Sequence, residues 1–200
     1  MADSVHKAAT YADLEAVPPH LVAELLFGSL VTHPRPSRRH GAATSALGVL
    51  AGGPYQFGAG GPGGWIFVDE PELHLGPHVV VPDIAGWRRA RLSEPSDRRF
   101  FEVPPDWICE ALSDSTERYD RIDKRRIYAT YGVPHLWLLD PRVKVLEVFL
   151  RQDQDWLLTH TFIDDDPVCA PPFDAITFRL GLLWPFDTLA TTPAPDDEPR

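Results

Sequence analysis

Short apolar runs, separated by proline, glycine and charged residues, predict a domain of mixed strands and helices. AELL and LVTH, joined at Phe27-Gly28-Ser29, predict an N-terminal hairpin, and a short helix is predicted before it around residues 11–16. A longer helix that ends at Gly52-Gly53 is predicted by four apolar residues at helical spacing, namely Ala42, Ala46, Val49 and Leu50.

The second half of the chain predicts more strands around one further helix. WIFVDEPELHL and HVVVPDIAGW predict two strands with Gly76-Pro77 between them, and DWICEALS predicts a strand covered on both faces. A helix is predicted over residues 113–132, then an antiparallel hairpin of HLWLLD and KVLEVFL, then a strand in FDAITFRL. We therefore expect an α/β or α+β fold, a mixed central sheet flanked by helices, in a single domain over residues 1–190. Residues 191–200 form a polar tail that we expect to be disordered.

Composition narrows the class of protein. The 200 residues suit one domain, and 44% apolar with 24% charged residues is ordinary for a soluble globular protein. No apolar run is long enough to span a bilayer, and the N-terminus lacks an apolar secretory core. Cys109 and Cys169 form neither a metal-ligand spacing nor a disulfide framework. We expect a cytoplasmic protein with no membrane association.

The net charge of −10 argues against a general nucleic-acid binder, but the charge is unevenly distributed. Residues 82–144 hold 12 basic and 11 acidic residues, whereas residues 145–200 hold 3 and 11. Nine arginines of the former segment could line a nucleic-acid path: Arg88, Arg89, Arg91, Arg98, Arg99, Arg118, Arg121, Arg125 and Arg126. The alternative, favoured when this feature is taken alone, is that they pair with nearby acids on a solvated surface.

Two acidic residues occupy strand positions where a charge is costly. Asp83 follows the apolar run VVVP, and Glu110 interrupts the apolar run of WICEAL with no basic residue within five positions. An unpaired buried carboxylate costs several kcal/mol or becomes neutral. A divalent cation shared by the two acids would remove that cost, and Mg²⁺ suits a site with few carboxylates. A simpler alternative for Asp83 is a turn in which it binds backbone N–H groups.

Lys124 lies in the predicted helix that follows Glu110. On a helical wheel it projects between Tyr128 and Tyr131, on the face that should pack against the sheet. It could reach an acid of the site or a substrate phosphate, or it could pair with Asp120 four residues earlier. His40, after Arg38-Arg39, could contact phosphate, but a residue that begins the helix is the favoured interpretation.

Several of these motifs together resemble the Uma2 family, once called DUF820, of the PD-(D/E)xK nuclease superfamily. They are VPDIAGW, WICEALS, D-x-x-x-K-x-x-x-YA-x-x-GV with the following WLLDP, and KVLEVF. The similarity runs from AELLFGSLV near residue 23 to the LLWP end, so it covers most of the chain. Ser113-Asp114-Ser115-Thr116 departs from the family's usual Ser-Pro-Ser-Thr.

The resemblance implies a site and an activity. Asp83 matches the family's PD aspartate, Glu110 its second acid and Lys124 a lysine supplied from the following helix, because Leu112 stands where the superfamily motif has lysine. Glu24 matches an N-terminal glutamate and would be an accessory ligand. The implied function is a Mg²⁺- or Mn²⁺-dependent endonuclease that cleaves DNA as a homodimer, with metal on Asp83 and Glu110. The alternative is a catalytically silent nucleic-acid- or protein-binding module that kept the fold.

Overall fold

The computed structural model describes residues 8–92 and 97–189, so the predicted tail at 191–200 lies outside the described residues. Two sheets make up most of this region, and the α+β class is confirmed. The first sheet has strand order β2-β1-β5-β4-β7, with β1 (Leu21–Leu26), β2 (Ser29–Pro34), β4 (Glu72–Leu75), β5 (His78–Val80) and β7 (Phe100–Phe101).

The second sheet has six strands and carries most of the buried aromatic residues. Its order is β11-β10-β9-β8-β6-β3, with β3 (Trp65–Asp69), β6 (Ile84–Arg88), β8 (Trp107–Ala111), β9 (His135–Asp140), β10 (Val145–Gln152) and β11 (Asp155–Ile163). Only β8 with β9 is a parallel pair in this sheet. The predicted hairpins β1–β2 and β9–β10 are both confirmed.

Helices pack against the sheets, and a small two-stranded ribbon lies near the C-terminal end of the described residues. Within the described residues, the α-helices are α1 (Tyr11–Glu15), α2 (Arg38–Ala51), α3 (Arg125–Thr130) and α4 (Pro185–Leu189). Short π-helices span Gly52–Gln56 and Tyr119–Lys124. Two 3-10 turns in the same residues span Arg89–Arg91 and Leu180–Leu183. The ribbon pairs β12 (Pro167–Val168) with β13 (Phe178–Arg179). The strand predicted in FDAITFRL is therefore limited to two residues. No described helix has the length and apolar character needed to cross a membrane.

The prediction of two continuous strands between residues 65 and 87 is wrong in one respect. Each predicted strand divides into two shorter strands, and the two belong to different sheets. The first breaks at Glu70, whose φ of 46° lies in the left-handed region, and Pro71 follows it. The second breaks at Pro82, which has no N–H for a ladder. The breaks face each other, since Glu70 N donates to Asp83 O at 3.0 Å. Asp83 thus stands where the chain crosses between the sheets, at the start of β6.

The helix predicted over residues 113–132 is present but irregular. A π-helix (Tyr119–Lys124) leads into α3, and Gly132, with φ of 82°, ends it as predicted. The carboxylates of Asp114 and Glu117 both bind Arg142. This helix covers the face of the second sheet that carries Ile108 and Leu136.

The opposite face of the second sheet packs against α2 through an aromatic cluster. Trp65, Trp107 and Trp137 are fully buried there, and Phe173 stacks edge-on against all three. Such aromatic contacts contribute roughly 0.5–1.5 kcal/mol per pair beyond area burial. Because β6 and β8 lie under this cluster, it fixes the two strands from which Asp83 and Glu110 extend.

We predict that Gly86→Ala destabilises the protein by about 1–3 kcal/mol, because the added methyl overpacks β6. A Cβ at this position would lie 2.9 Å from Phe67 Cε1 and 3.3 Å from Trp107 Cε3. The matched control is Gly41→Ala in α2, whose Cβ meets no atom within 4 Å; it should stabilise by about 0.5–1 kcal/mol. Urea unfolding measures both, and equal stability of the two variants would contradict the packing described for β6.

Candidate active site

The alternation of β8 directs Glu110 toward the helix that holds Lys124. Trp107, Cys109 and Ala111 belong to the aromatic cluster under α2. Ile108 and Leu112 belong to the cluster that packs against α3. Because alternate residues of a strand share a face, Glu110 lies on the α3 side, between those two apolar residues.

Lys124 joins three carboxylates that come from distant parts of the chain. Its Nζ lies 2.8 Å from Glu110 Oε1, 3.2 Å from Glu24 Oε1 and 3.3 Å from Asp120 Oδ1. It also donates to Val81 O at 3.3 Å. The lysine side chain is only 3% exposed. The pairing with Asp120 that the spacing suggested is therefore present, and two further acids complete the surroundings of the ammonium group.

The electrostatic surroundings keep Lys124 charged. Burial alone would lower its pKa, but the carboxylates of Glu110 and Glu24 outweigh burial and hold the lysine pKa well above its usual value. An ammonium group with a raised pKa does not accept a proton at neutral pH. Lys124 can therefore donate hydrogen bonds and stabilise negative charge, and it cannot serve as a general base.

Glu24 is the most completely satisfied of the three acids. Its Oε1 accepts from Val81 N at 2.7 Å, and its Oε2 lies 3.6 Å from His33 Nε2. Burial would raise its pKa, but Lys124, His33 and the Val81 N–H together lower it. Glu24 contacts Lys124 away from the cavity described below and does not line it. Its geometry suits a group that positions the lysine.

Glu110 has the opposite electrostatic balance. Tyr128 OH donates to Glu110 Oε1 at 2.5 Å, the same oxygen that faces Lys124. Burial raises the pKa of Glu110 well above its usual value; Lys124 opposes this, and the nearby charges of Asp120, Asp83 and Glu24 reinforce it. Another cation near Glu110 would therefore be strongly favoured.

Asp83 lies beside Glu110 on the neighbouring strand. The antiparallel register pairs Ile84 with Cys109, and its next step brings Asp83 opposite Glu110. Asp83 Oδ2 accepts from Ala111 N at 2.7 Å, and Oδ1 lies 2.6 Å from His40 Nε2. The backbone hydrogen bond expected of a turn aspartate is thus present, but it comes from β8 and fixes the carboxylate at the site.

One cavity of about 200 Å³ brings most of these groups together. Its acidic and lysine side chains are Glu70, Asp83, Glu110, Asp120 and Lys124. Residues 33–37 and His40 form one part of its lining, and Ser113, Ser115 and Thr116 form another. Of the four residues predicted from the sequence, Asp83, Glu110 and Lys124 line this cavity, while Glu24 contacts it through Lys124.

Two side chains that contact the acids of the site were not assigned to it from the sequence, namely His40 and Tyr128. Asp120 was considered only as a partner of Lys124. His40 is the third residue of α2, as the favoured interpretation held, yet its ring also contacts Asp83 across 43 positions of sequence. The signal for Tyr128 was its place on the same helical face as Lys124. For His40 only its proximity to Arg38-Arg39 hinted at a site.

A divalent cation fits the oxygen donors that Asp83 and Glu110 offer. Within residues 8–92 and 97–189, no three His, Cys, Asp or Glu side chains form a metal-binding group. Mg²⁺ does not need one, since it is usually held by one or two carboxylates with waters and substrate phosphates. The observation that favours a cation here is that the carboxylates of Asp83 and Glu110 line one cavity, and burial and nearby acids raise the pKa of Glu110 in agreement with it.

The fold agrees with the comparisons to known proteins. The Uma2 family model, described as "Putative restriction endonuclease", matches residues 8–180, and the chain therefore belongs to this family. A solved structure titled a "putative nuclease belonging to DUF820", from Anabaena variabilis ATCC 29413, has the same fold, with a TM-score of 0.72. It is 21% identical in sequence, and the match covers 89% of this chain and 98% of that one. No curated protein matches the chain.

We predict that Lys124→Met destabilises the protein by about 3–5 kcal/mol at pH 7, because three buried carboxylates lose their cation. Without Lys124 those acids have raised pKa values, so they bind protons as the pH falls and the deficit shrinks between about pH 7 and pH 5. Urea unfolding at the two pH values measures this.

The matched control is Lys144→Met, which removes a partly exposed lysine paired with Asp187 at 3.0 Å. It should cost no more than about 1 kcal/mol at either pH. Equal effects of the two lysine variants, or a Lys124→Met deficit that does not change with pH, would contradict the proposed charge balance.

Proposed function

We propose that this protein is a Mg²⁺- or Mn²⁺-dependent endonuclease that hydrolyses DNA phosphodiester bonds. The observation that carries the proposal is the convergence of Asp83, Glu110 and Lys124 on one cavity. Asp83 and Glu110 would hold the metal, and Lys124 would bind the substrate phosphate or the leaving oxygen. Family membership supports the reaction class, whereas the metal and the DNA substrate are our inference.

The metal and the lysine would divide the chemistry. A bound divalent ion would polarise the phosphate and lower the pKa of a water molecule, which supplies the nucleophile. Lys124 would donate hydrogen bonds to the oxygen on which negative charge grows, with no change of protonation. Asp120 and Glu24 would keep the ammonium group in place, and His40 would orient Asp83 while Tyr128 orients Glu110.

A homodimer is the assembly we propose for double-strand cleavage, since each protomer holds one such site and two strands must be cut. The two cysteines, Cys109 and Cys169, are both free, which suits the reducing cytoplasm in which we place the protein.

A non-catalytic binding module is the second candidate function. The acidic net charge and the absence, within the described ranges, of a three-ligand metal group favour it. A module of this kind need not bind a divalent ion through Asp83 and Glu110, so metal binding separates the two candidates.

We predict metal-dependent nicking of supercoiled plasmid that falls to background in Asp83→Asn and in Glu110→Gln. Each change keeps the side-chain size but removes a charged oxygen donor. The matched control is Glu102→Gln, a half-exposed acid that pairs with Arg98; it should retain full activity. Nicking that survives in both site variants would indicate a contaminant or another site. If the wild type shows no nicking with several DNA substrates, the binding module becomes the better account.

We further predict that Mg²⁺ or Mn²⁺ stabilises the wild type. At about one hundred times the dissociation constant, ligand binding adds about 2.7 kcal/mol, which corresponds to a rise in melting temperature of roughly 5–10 °C for a chain of this size. Differential scanning calorimetry should show this rise for the wild type and for Glu102→Gln, and little of it for Glu110→Gln. A rise of equal size in all three would place the metal elsewhere.

A further inference from the structure

The segment that forms one wall of the cavity is basic, although the chain as a whole is acidic. No acidic residue occurs between Leu25 and Val68, a stretch that contains Arg35, Arg38 and Arg39. All three arginines are exposed, on the connection between β2 and α2 or in the first turn of α2. This local charge is hidden in the overall value of −10.

The position of this segment relative to the acids is fixed by His40. Its ring contacts Asp83 at 2.6 Å, so the first turn of α2 lies at the edge of the candidate site. Arg38 stands two residues before His40 in that turn; it is exposed and does not itself line the cavity. Arg35 itself lines the cavity, together with Pro34, Pro36 and Ser37. The two prolines restrict the backbone on either side of Arg35.

Two of these arginines are available to a ligand. Arg38 has no ion pair or hydrogen bond within the described residues, and α2 has no acid in its first turn. Arg35 pairs with Glu70 at 3.0 Å, but both side chains are largely exposed. Exposed pairs of this kind contribute at most about 1 kcal/mol, so a phosphate can replace Glu70 at little cost. Arg39 is directed toward Asp187, at 3.3 Å.

Several of the arginines that the sequence singled out fit this role less well. Arg88, Arg89 and Arg91 follow or end β6, at the opposite end of that strand from Asp83. Arg88 lies five positions after Asp83 along the strand, a distance of about 17 Å. Arg91 pairs with Asp106, Arg98 with Glu102, and Arg121 with Glu117 and Glu147, as the surface alternative held.

We propose that Arg35 and Arg38 form the surface over which the nucleic-acid backbone enters the active site, with Arg35 and Arg38 each contacting a phosphate. The inference rests on the proposed nuclease function and names the part of the surface that binds the substrate. Ser113, Ser115 and Thr116, which carry hydroxyl groups, also line the cavity. The acidic interior repels phosphate unless cations surround it, and this basic wall supplies them at the point of entry.

The test compares two double variants, each of which removes two arginines. One pair lies near the Asp83 end of β6, and the other pair follows the opposite end of that strand. Arg35→Ala with Arg38→Ala removes the proposed surface, and Arg89→Ala with Arg91→Ala is the control. Fluorescence anisotropy with a labelled DNA duplex, in Ca²⁺ so that the DNA stays intact, gives the Kd between about 50 and 200 mM salt. Thermal unfolding of both variants confirms that each is folded.

We expect Arg35→Ala with Arg38→Ala to weaken binding about tenfold and to reduce the slope of log Kd against log salt by about 2, because two phosphate contacts are lost. The control should stay within about twofold of the wild type. Glu70→Gln should tighten binding by roughly two- to fivefold, since it frees Arg35 and removes a negative charge from the cavity mouth.

Three results would overturn the proposed surface: an equal loss in the control, no loss in Arg35→Ala with Arg38→Ala, or no DNA binding by the wild type. Failure of the nuclease proposal is distinguishable. If DNA binding depends on Arg35 and Arg38 but no metal-dependent nicking occurs, the proposed binding surface stands and the nuclease proposal is wrong. If the arginine variant still nicks DNA and its Kd is unchanged, the nuclease proposal stands and the proposed binding surface is wrong.

Discussion

A buried ammonium group surrounded by three carboxylates is the interaction on which the rest of this site depends. Taking one such charge out of water costs several kcal/mol, and only close opposite charges with hydrogen bonds compensate it. Lys124 obtains that compensation from Glu24, Glu110 and Asp120, which lie on β1, β8 and the π-helix. Strands β1 and β8, which are distant in sequence, are therefore held against the π-helix at one point.

The single ammonium group does not balance the negative charges around it, and the proposed function depends on this imbalance. Three carboxylates, those of Glu24, Glu110 and Asp120, contact the single lysine, and Asp83 adds a further negative charge near Glu110. The deficit falls on Glu110 and Asp120, whose pKa values are raised, and not on Glu24, whose pKa is lowered. A divalent ion between Asp83 and Glu110 would correct the deficit without displacing Lys124. This charge argument supports the metal that we propose, and it does not depend on family membership.

The sequence predicted the parts of the site that depend on local pattern. Glu110 stood out because a charge in a continuously apolar strand needs a partner, and Lys124 because it lay on the apolar face of its helix. The helix is a π-helix at that point, yet Asp120 and Lys124 still meet, since residues four apart remain neighbours. The hairpins β1–β2 and β9–β10 were predicted because short connections leave few other pairings.

The parts that the sequence could not predict depend on contacts between distant segments. Nothing local indicated that the two long strands near residues 65–87 would each divide between two sheets, although Pro71 and Pro82 mark the breaks. The contact of His40 with Asp83 joins α2 to β6. The arginine-rich stretch after β6 suggested a binding path by composition alone, whereas the fold brings the shorter basic stretch before α2 to the cavity.

Anomalous X-ray diffraction from a crystal soaked in Mn²⁺ tests the central claim most directly. We expect one strong manganese peak between the carboxylates of Asp83 and Glu110, with Lys124 still in contact with Glu24 and Asp120. A crystal that shows no manganese at these two residues, or manganese only at surface acids, would contradict the account.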